Sequence, residues 1–158
     1  MVDSYSGDVA LRELTLKVIF PSCRPKDEPA QALAIGKWVQ DRTNYVHEGV
    51  ETFQRPETTI RRKAGDCDDY SVLIASMLGT VGIRNKLCIL KINGRWAHIF
   101  PVAIVVDGGR LHRLTLDGTL LKRKDEAPFD PDDDPISEMI NPVAIVKARG
   151  DKVETLFV

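Results

Sequence analysis

The first half of the chain carries apolar patterns of two different periods. Apolar side chains recur at every second position from 14 to 20, which is the period of a half-buried strand, until Pro21 ends the pattern. From about 28 to 44 the apolar residues recur at helical spacing, and Pro29 suits the first turn of a helix. The segment 46–64 has no sustained period and predicts a long loop. We therefore expect a strand, a helix and a loop, in that order.

The clearest helix begins near Cys67. Six apolar residues after it fall on one continuous helical stripe: Tyr70, Leu73, Ile74, Met77, Leu78 and Val81. Asp66 can cap the N-terminus of this helix, with Asp69 three residues later. Gly82 followed by Ile83 is typical of a left-handed stop with its hydrophobic contact.

The chain after this helix is rich in branched residues and predicts an antiparallel meander. Its strands are 87–92, 95–106 and 110–117, and they are separated by an Asn-Gly turn and an Asp-Gly-Gly turn. A polar loop follows over 118–141, and 143–147 with 153–158 predict a closing hairpin. Helices followed by strands favour an α+β fold, with helices packed on an antiparallel β-sheet.

Length and charge limit the classes of partner. The 158 residues fit one domain, 1–158. The 22 Lys and Arg residues nearly cancel the 23 Asp and Glu residues, so no strong field recruits nucleic acid or a membrane surface. No apolar run is long enough to span a bilayer, and the first residues lack the pattern of a signal peptide. We expect a cytoplasmic protein, and the sequence leaves its oligomeric state open.

The three cysteines, Cys23, Cys67 and Cys88, lack disulfide or metal-ligand spacing, so we expect free thiols and no metal site. Cys67 differs because it stands at the first turn of a helix, where unpaired amides and the helix dipole favour an anion. The same amides can hold an oxyanion when a thiolate attacks a carbonyl. The aspartates that flank Cys67 oppose a thiolate, so a nearby imidazolium is required.

Hairpin geometry sorts the histidines that could supply this imidazolium. His47 lies in the long loop. If the Gly-Gly pair of the second turn forms a two-residue loop, His98 becomes a diagonal neighbour of Asp117 on one face of the sheet, and His112 points to the other face. A three-residue loop or a bulge would break this arrangement. On the two-residue register, His98 is the preferred partner of Cys67.

The segment Gly65–Tyr70, with sequence GDCDDY, resembles the nucleophile segment of the transglutaminase-like, papain-like cysteine enzymes, in particular small stand-alone bacterial or phage members. In that family a histidine follows the cysteine by a few tens of residues, and an aspartate in a Leu-Asp-x-Thr setting lies on the next strand. Here these are His98, 31 residues after the cysteine, and Asp117, 19 residues later. The tetrapeptide 116–119 has Gly where the family commonly has Pro. The likeness covers about 31–119.

The resemblance implies a transglutaminase-like core and a catalytic triad. Cys67 would attack an amide carbonyl, His98 would carry the proton to the leaving amine, and Asp117 would hold the imidazole. Gln54, before the nucleophile, is the candidate second oxyanion donor. Water would resolve the thioester in a peptidase or deamidase, and an amine would resolve it in a transglutaminase. The substrate would be a peptide or protein, and no cofactor is required.

The same resemblance leaves a second class open. A non-catalytic transglutaminase-like module could use the cleft to bind a peptide, or could serve in phage virion assembly and be associated with the virion. The complete set of three candidate residues favours the enzyme, because a binder has no need of all three.

Overall fold

A computed structural model describes residues 5–46, 53–119, 147 and 149–158. The helices in that part of the chain are α1 (Val9–Ile19), α2 (Glu28–Arg42), α3 (Pro56–Arg62) and α4 (Cys67–Thr80). The strands are β1 (Asn44–Tyr45), β2 (Ala64–Gly65), β3 (Arg84–Ile92), β4 (Arg95–Asp107), β5 (Arg110–Thr115) and β6 (Val153–Phe157). The helices pack against an antiparallel sheet, so the expected α+β fold is confirmed. None of these helices is both long and apolar enough to cross a membrane.

The strand predicted over 14–20 is wrong, because this segment belongs to α1. Asp8 caps the helix by accepting a hydrogen bond from the backbone N–H of Leu11 at 2.8 Å. The buried side chains are Leu11, Thr15 and Ile19, which lie at intervals of four residues. Thr15 is a polar residue in the buried stripe, and its hydroxyl donates to the carbonyl of Leu11. A hydroxyl at this place hides the helical period from a reading of apolar residues alone.

The first predicted helix, over about 28–44, is confirmed as α2, and it ends two residues before the predicted end. Its N-cap is Asp27, and Pro29 lies in its first turn as expected. The long loop predicted over 46–64 is only partly correct. It contains α3, which starts at Pro56, and it ends in β2. His47 lies outside the described residues.

Helix α4 forms the centre of the molecule, because α1, α2, α3 and the sheet all pack against it. Nearly all of its residues are buried, which explains why its apolar stripe predicted it so clearly. The predicted stop is confirmed. Gly82 has φ of 79°, and the N–H of Ile83 returns to the carbonyl of Leu78 at 3.0 Å.

The main sheet has the strand order β5-β4-β3-β6. The predicted three-stranded meander is confirmed as β3, β4 and β5. Asp107 pairs with Arg110, so the second turn has the two-residue loop on which the register depended. A bulge lies in β4, where Ala97 is the extra residue opposite the step from Leu90 to Lys91 in β3. Strand β6 pairs antiparallel with β3, whereas the segment 143–147 that was expected to pair with it lies outside the described residues, apart from Lys147. The predicted polar loop 118–141 lies outside them from 120 onward.

Candidate functional site

The start of α4 places the thiol of Cys67. Strand β2 ends at Gly65, Asp66 is the N-cap, and Cys67 is the first residue of the helix. The backbone N–H groups of this first turn lack partners within the helix, so they and the helix dipole favour an anion beside the sulfur. Ser71 ties the turn to the sheet, since its hydroxyl lies 2.6 Å from the carbonyl of Cys67 and 3.0 Å from that of Ile99 in β4. The half-buried sulfur therefore lies against the strand that carries His98.

The sheet brings His98 and Asp117 together as the register predicted. The Nε2 atom of His98 lies 2.5 Å from Oδ2 of Asp117. The other carboxylate oxygen of Asp117 accepts from the backbone N–H of Thr119 at 2.9 Å and from its hydroxyl at 2.7 Å. Asp117 is 1% exposed, so three hydrogen bonds fix a carboxylate that water hardly reaches. His112 pairs with Val105 of β4, which is an odd number of residues from His98. Because side chains alternate along a strand, His112 points to the other face of the sheet.

The imidazole of His98 joins the carboxylate to the thiol. Burial by itself lowers the pKa of His98, but hydrogen bonds to Asp117 and Cys67 and the negative charges of both outweigh it and raise the pKa to about 10. Because Nε2 is used by Asp117, Nδ1 is the ring nitrogen left for the sulfur. The structure thus brings Cys67, His98 and Asp117 into one connected cluster.

Gln54 is buried and its hydrogen bonds go to Asp69. Its backbone N–H donates to Oδ1 of Asp69 at 2.8 Å, and its Nε2 lies 2.5 Å from Oδ2. The same Oδ2 accepts from the backbone N–H of Asp66 at 3.4 Å, as part of the capping box that the sequence indicated. Gly65 is required here, because a Cβ on it would lie 2.6 Å from Cβ of Asp69. Asp69 thereby joins the segment before α3 to the start of α4.

Three buried carboxylates surround the start of α4: Asp66, Asp68 and Asp69. One oxygen from each lies within 4.8 Å of the others, so this cluster is the set of described side chains that could hold a metal ion. Both carboxylate oxygens of Asp68 lack a hydrogen-bond partner among the described residues. Burial, the adjacent carboxylate of Asp66 and the charge of Asp69 raise the pKa of Asp68 to about 8.

Two tyrosines near the site were not predicted from the sequence as functional residues. Tyr45 in β1 pairs with Gly65, and its ring lies 6.4 Å from that of Tyr70 in α4. A Cβ on Gly118 would lie 2.8 Å from the Tyr70 ring, so the position of this ring favours glycine at residue 118. Tyr45 lies beside the nucleophile segment because β1 pairs with β2. The sequence carries no signal for this pairing, so Tyr45 could not be identified from it.

Comparison with known proteins identifies the family and supports the fold. No curated protein matches the chain in sequence. A solved structure named as a "putative cysteine protease" from Cytophaga hutchinsonii is similar with a TM-score of 0.59 at 17% identity, over 98% of this chain and 50% of that one. A solved structure named as a TGase is similar with a TM-score of 0.54 at 14% identity, over 83% of this chain and 35% of that one. These likenesses support the fold, and the chain spans about half the length of the first of these proteins. The model of the transglutaminase-like domain matches residues 11–112, so the chain belongs to the transglutaminase-like domain family.

Proposed function

We propose that this domain is a cysteine-dependent acyl-transfer enzyme that acts on amide bonds of peptides or proteins. The observation that carries the proposal is the connected cluster: the imidazole of His98 lies 2.5 Å from Asp117, and Cys67, at the first turn of α4, is close enough to help raise the pKa of His98. Each member has the chemistry that its role needs, namely a nucleophile, a proton carrier and a carboxylate that orients the carrier.

The proton balance follows from the charges in the cluster. A His98 pKa of about 10 means that the imidazole carries a proton at neutral pH. An imidazolium beside a sulfur stabilises the thiolate, which is the nucleophilic form of cysteine. This effect opposes the acidic groups of Asp66 and Asp69 on the same helix end, whereas Asp68, with its pKa raised to about 8, is mostly protonated at neutral pH. His98 therefore supplies the positive charge that the acidic flank of the nucleophile makes necessary.

The reaction then proceeds in two halves. The Cys67 sulfur adds to the amide carbonyl, the C–S bond forms, and the π electron pair moves onto the oxygen. Collapse of this intermediate breaks the C–N bond, and the amine leaves with the proton from His98. The thioester is resolved by water or by an amine, whose proton returns to His98. Backbone amides at the start of α4 can receive the oxyanion, and the Gln54 side chain is a further candidate donor.

Two kinds of acyl transfer are open to this site. Hydrolysis would make the domain a peptidase or deamidase, and transfer to an amine would make it a transglutaminase. The names of the similar solved structures cover both classes, one a putative cysteine protease and the other a TGase. Because both reactions share the thioester, formation of an acyl group on Cys67 is the step to test first.

The test uses p-nitrophenyl acetate as the acyl donor and peptide mass spectrometry as the readout. We expect an acetyl group on the peptide that contains Cys67, and faster p-nitrophenol release than in Cys67→Ala. Cys23→Ala is the matched control, since that cysteine lies outside the cluster and should keep the parental rate. Acetylation spread equally over Cys23 and Cys67, or equal release by Cys67→Ala, would contradict the proposal. Adding a dansylated primary amine, and detecting its acetylated product, then separates transfer from hydrolysis.

A further inference from the structure

The contacts of Gln54 limit what its side chain can offer to a substrate. Its Nε2 lies 2.5 Å from Oδ2 of Asp69, and its backbone N–H donates to the other oxygen of the same carboxylate. A carboxylate accepts hydrogen bonds, so this contact fixes the NH2 end of the Gln54 amide toward Asp69. The remaining amide oxygen, Oε1, is buried and lacks a partner among the described residues. An oxyanion needs donors, and Gln54 presents at most one uncommitted N–H.

Tyr45 is placed beside the nucleophile by backbone pairing. It lies opposite Gly65, two residues before Cys67, in the parallel pair of β1 and β2. Its ring packs at 56° to the ring of Tyr70, and Tyr70 is itself fixed by a hydrogen bond from its hydroxyl to the carbonyl of Thr43 at 2.6 Å. Tyr45 is 48% exposed. The phenol therefore stands on a fixed support, open to a bound substrate.

The hydroxyl of Tyr45 is available as a donor. It makes no hydrogen bond to any residue within 5–46, 53–119 or 149–158. Burial and then the negative charges of Cys67, Asp66 and Asp117 raise the pKa of Tyr45. The phenol is therefore close enough to the Cys67 site to be affected by its charges. The O–H keeps its proton at neutral pH and can donate it to an acceptor.

We propose that the Tyr45 hydroxyl is the second oxyanion donor of the Cys67 site. The inference rests on the proposed function. When the C–S bond forms and the carbonyl electron pair moves onto the oxygen, Tyr45 donates a hydrogen bond to that oxygen and keeps its own proton. When the C–N bond breaks, the carbonyl re-forms and the hydrogen bond weakens. The phenol thus stabilises the charged intermediate more than the bound substrate.

The test compares two reactions of Cys67 in the parent and in Tyr45→Phe. Acetylation by p-nitrophenyl acetate passes through an oxyanion, whereas alkylation by iodoacetamide displaces iodide at a saturated carbon and forms none. Tyr45→Phe keeps the ring on Tyr70 and removes only the hydroxyl. We expect acetylation of Cys67 to slow by about 10- to 100-fold, while its alkylation rate stays at the parental value. A general loss of folding or of thiolate would slow both reactions.

Three results would overturn the inference. In the first, Cys67 of Tyr45→Phe is acetylated at the parental rate. In the second, alkylation of Cys67 slows as much as its acetylation, which would mean that Tyr45 acts on the thiolate. In the third, acetylation of Cys67 slows in Gln54→Leu and not in Tyr45→Phe, while its alkylation keeps the parental rate. This result would make Gln54 the second donor. Failure of the proposed function is distinguishable, because the parent itself would then show no preferred acetylation at Cys67.

Discussion

Replacing Asp68 by asparagine tests the electrostatics around the nucleophile. Asp68 is 3% exposed, and neither of its carboxylate oxygens has a partner among the described residues. Its pKa rises from 3.8 to about 8, chiefly through burial and then through the neighbouring Asp66 and Asp69. A raised pKa in the folded state means that ionisation costs stability, so stability is lost as pH rises from about 4 and the loss levels off above about 8.

The size of the effect follows from the same shift. Each pKa unit corresponds to about 1.4 kcal/mol, so a rise from 3.8 to about 8 sets an upper limit of roughly 6 kcal/mol on the cost of ionising Asp68 in the folded protein. Asp68→Asn removes the charge and keeps the shape. The new amide still needs hydrogen bonds, which offsets part of the gain. We therefore expect the variant to be about 2 kcal/mol more stable than the parent near pH 8 and nearly equal near pH 4.

Urea unfolding at several pH values between about 4 and 8, in buffer with EDTA, measures this difference directly. The chelator matters because the carboxylate cluster could hold a metal ion. Asp41→Asn, at an exposed position near the end of α2, is the matched control and should leave the pH dependence of the parent unchanged. His98 also makes stability fall, as pH rises from about 6.5 to about 10, but it does so in all three proteins. A constant difference between parent and Asp68→Asn across the pH range, or a less stable variant near pH 8, would refute the reasoning.

Two further substitutions test other contacts. Asp117→Asn should leave the fold intact and slow acetylation of Cys67 by about 10²- to 10⁴-fold, because an amide holds the imidazole in the wrong tautomer. Circular dichroism checks the fold. An acetylation rate equal to that of the parent would remove Asp117 from the mechanism. Gly118→Ala should destabilise the protein by about 1–3 kcal/mol in urea unfolding, since its Cβ would lie 2.8 Å from the Tyr70 ring. Gly7→Ala, with nothing within 4 Å of the added Cβ, is its control, and equal effects at both positions would contradict the steric argument.

The sequence predicted the parts of the fold where pattern and burial agree. Helix α4 is buried on nearly every side, so its apolar residues alone marked it. The two-residue turn between β4 and β5 fixed a register from which the approach of His98 to Asp117 followed by counting. These inferences used local rules of helix period and hairpin geometry, which need no knowledge of distant contacts.

The parts that the sequence did not predict depend on contacts between distant segments. Helix α1 was missed because the buried Thr15 is polar and meets Thr80 of α4 through its hydroxyl at 3.2 Å. The hydrogen bond between Gln54 and Asp69 joins residues that are 15 positions apart in the chain. The residues between Tyr45 and its partner Gly65 form a segment that the sequence predicts as a loop. No local pattern encodes such pairs, so the surroundings of the nucleophile could not be worked out before the fold was known.

The most direct measurement of the central claim is the rate of iodoacetamide alkylation at each of the three cysteines, in the parent and in His98→Ala, read by peptide mass. Cys88 is an internal control, since it is 1% exposed and burial raises its pKa to about 11. We expect Cys67 to react faster than Cys23 and Cys88 near neutral pH, and to lose that advantage without His98. If Cys67 reacts no faster than Cys23 in the parent, or if His98→Ala changes nothing, the imidazole does not activate this sulfur and the account of an enzyme is contradicted.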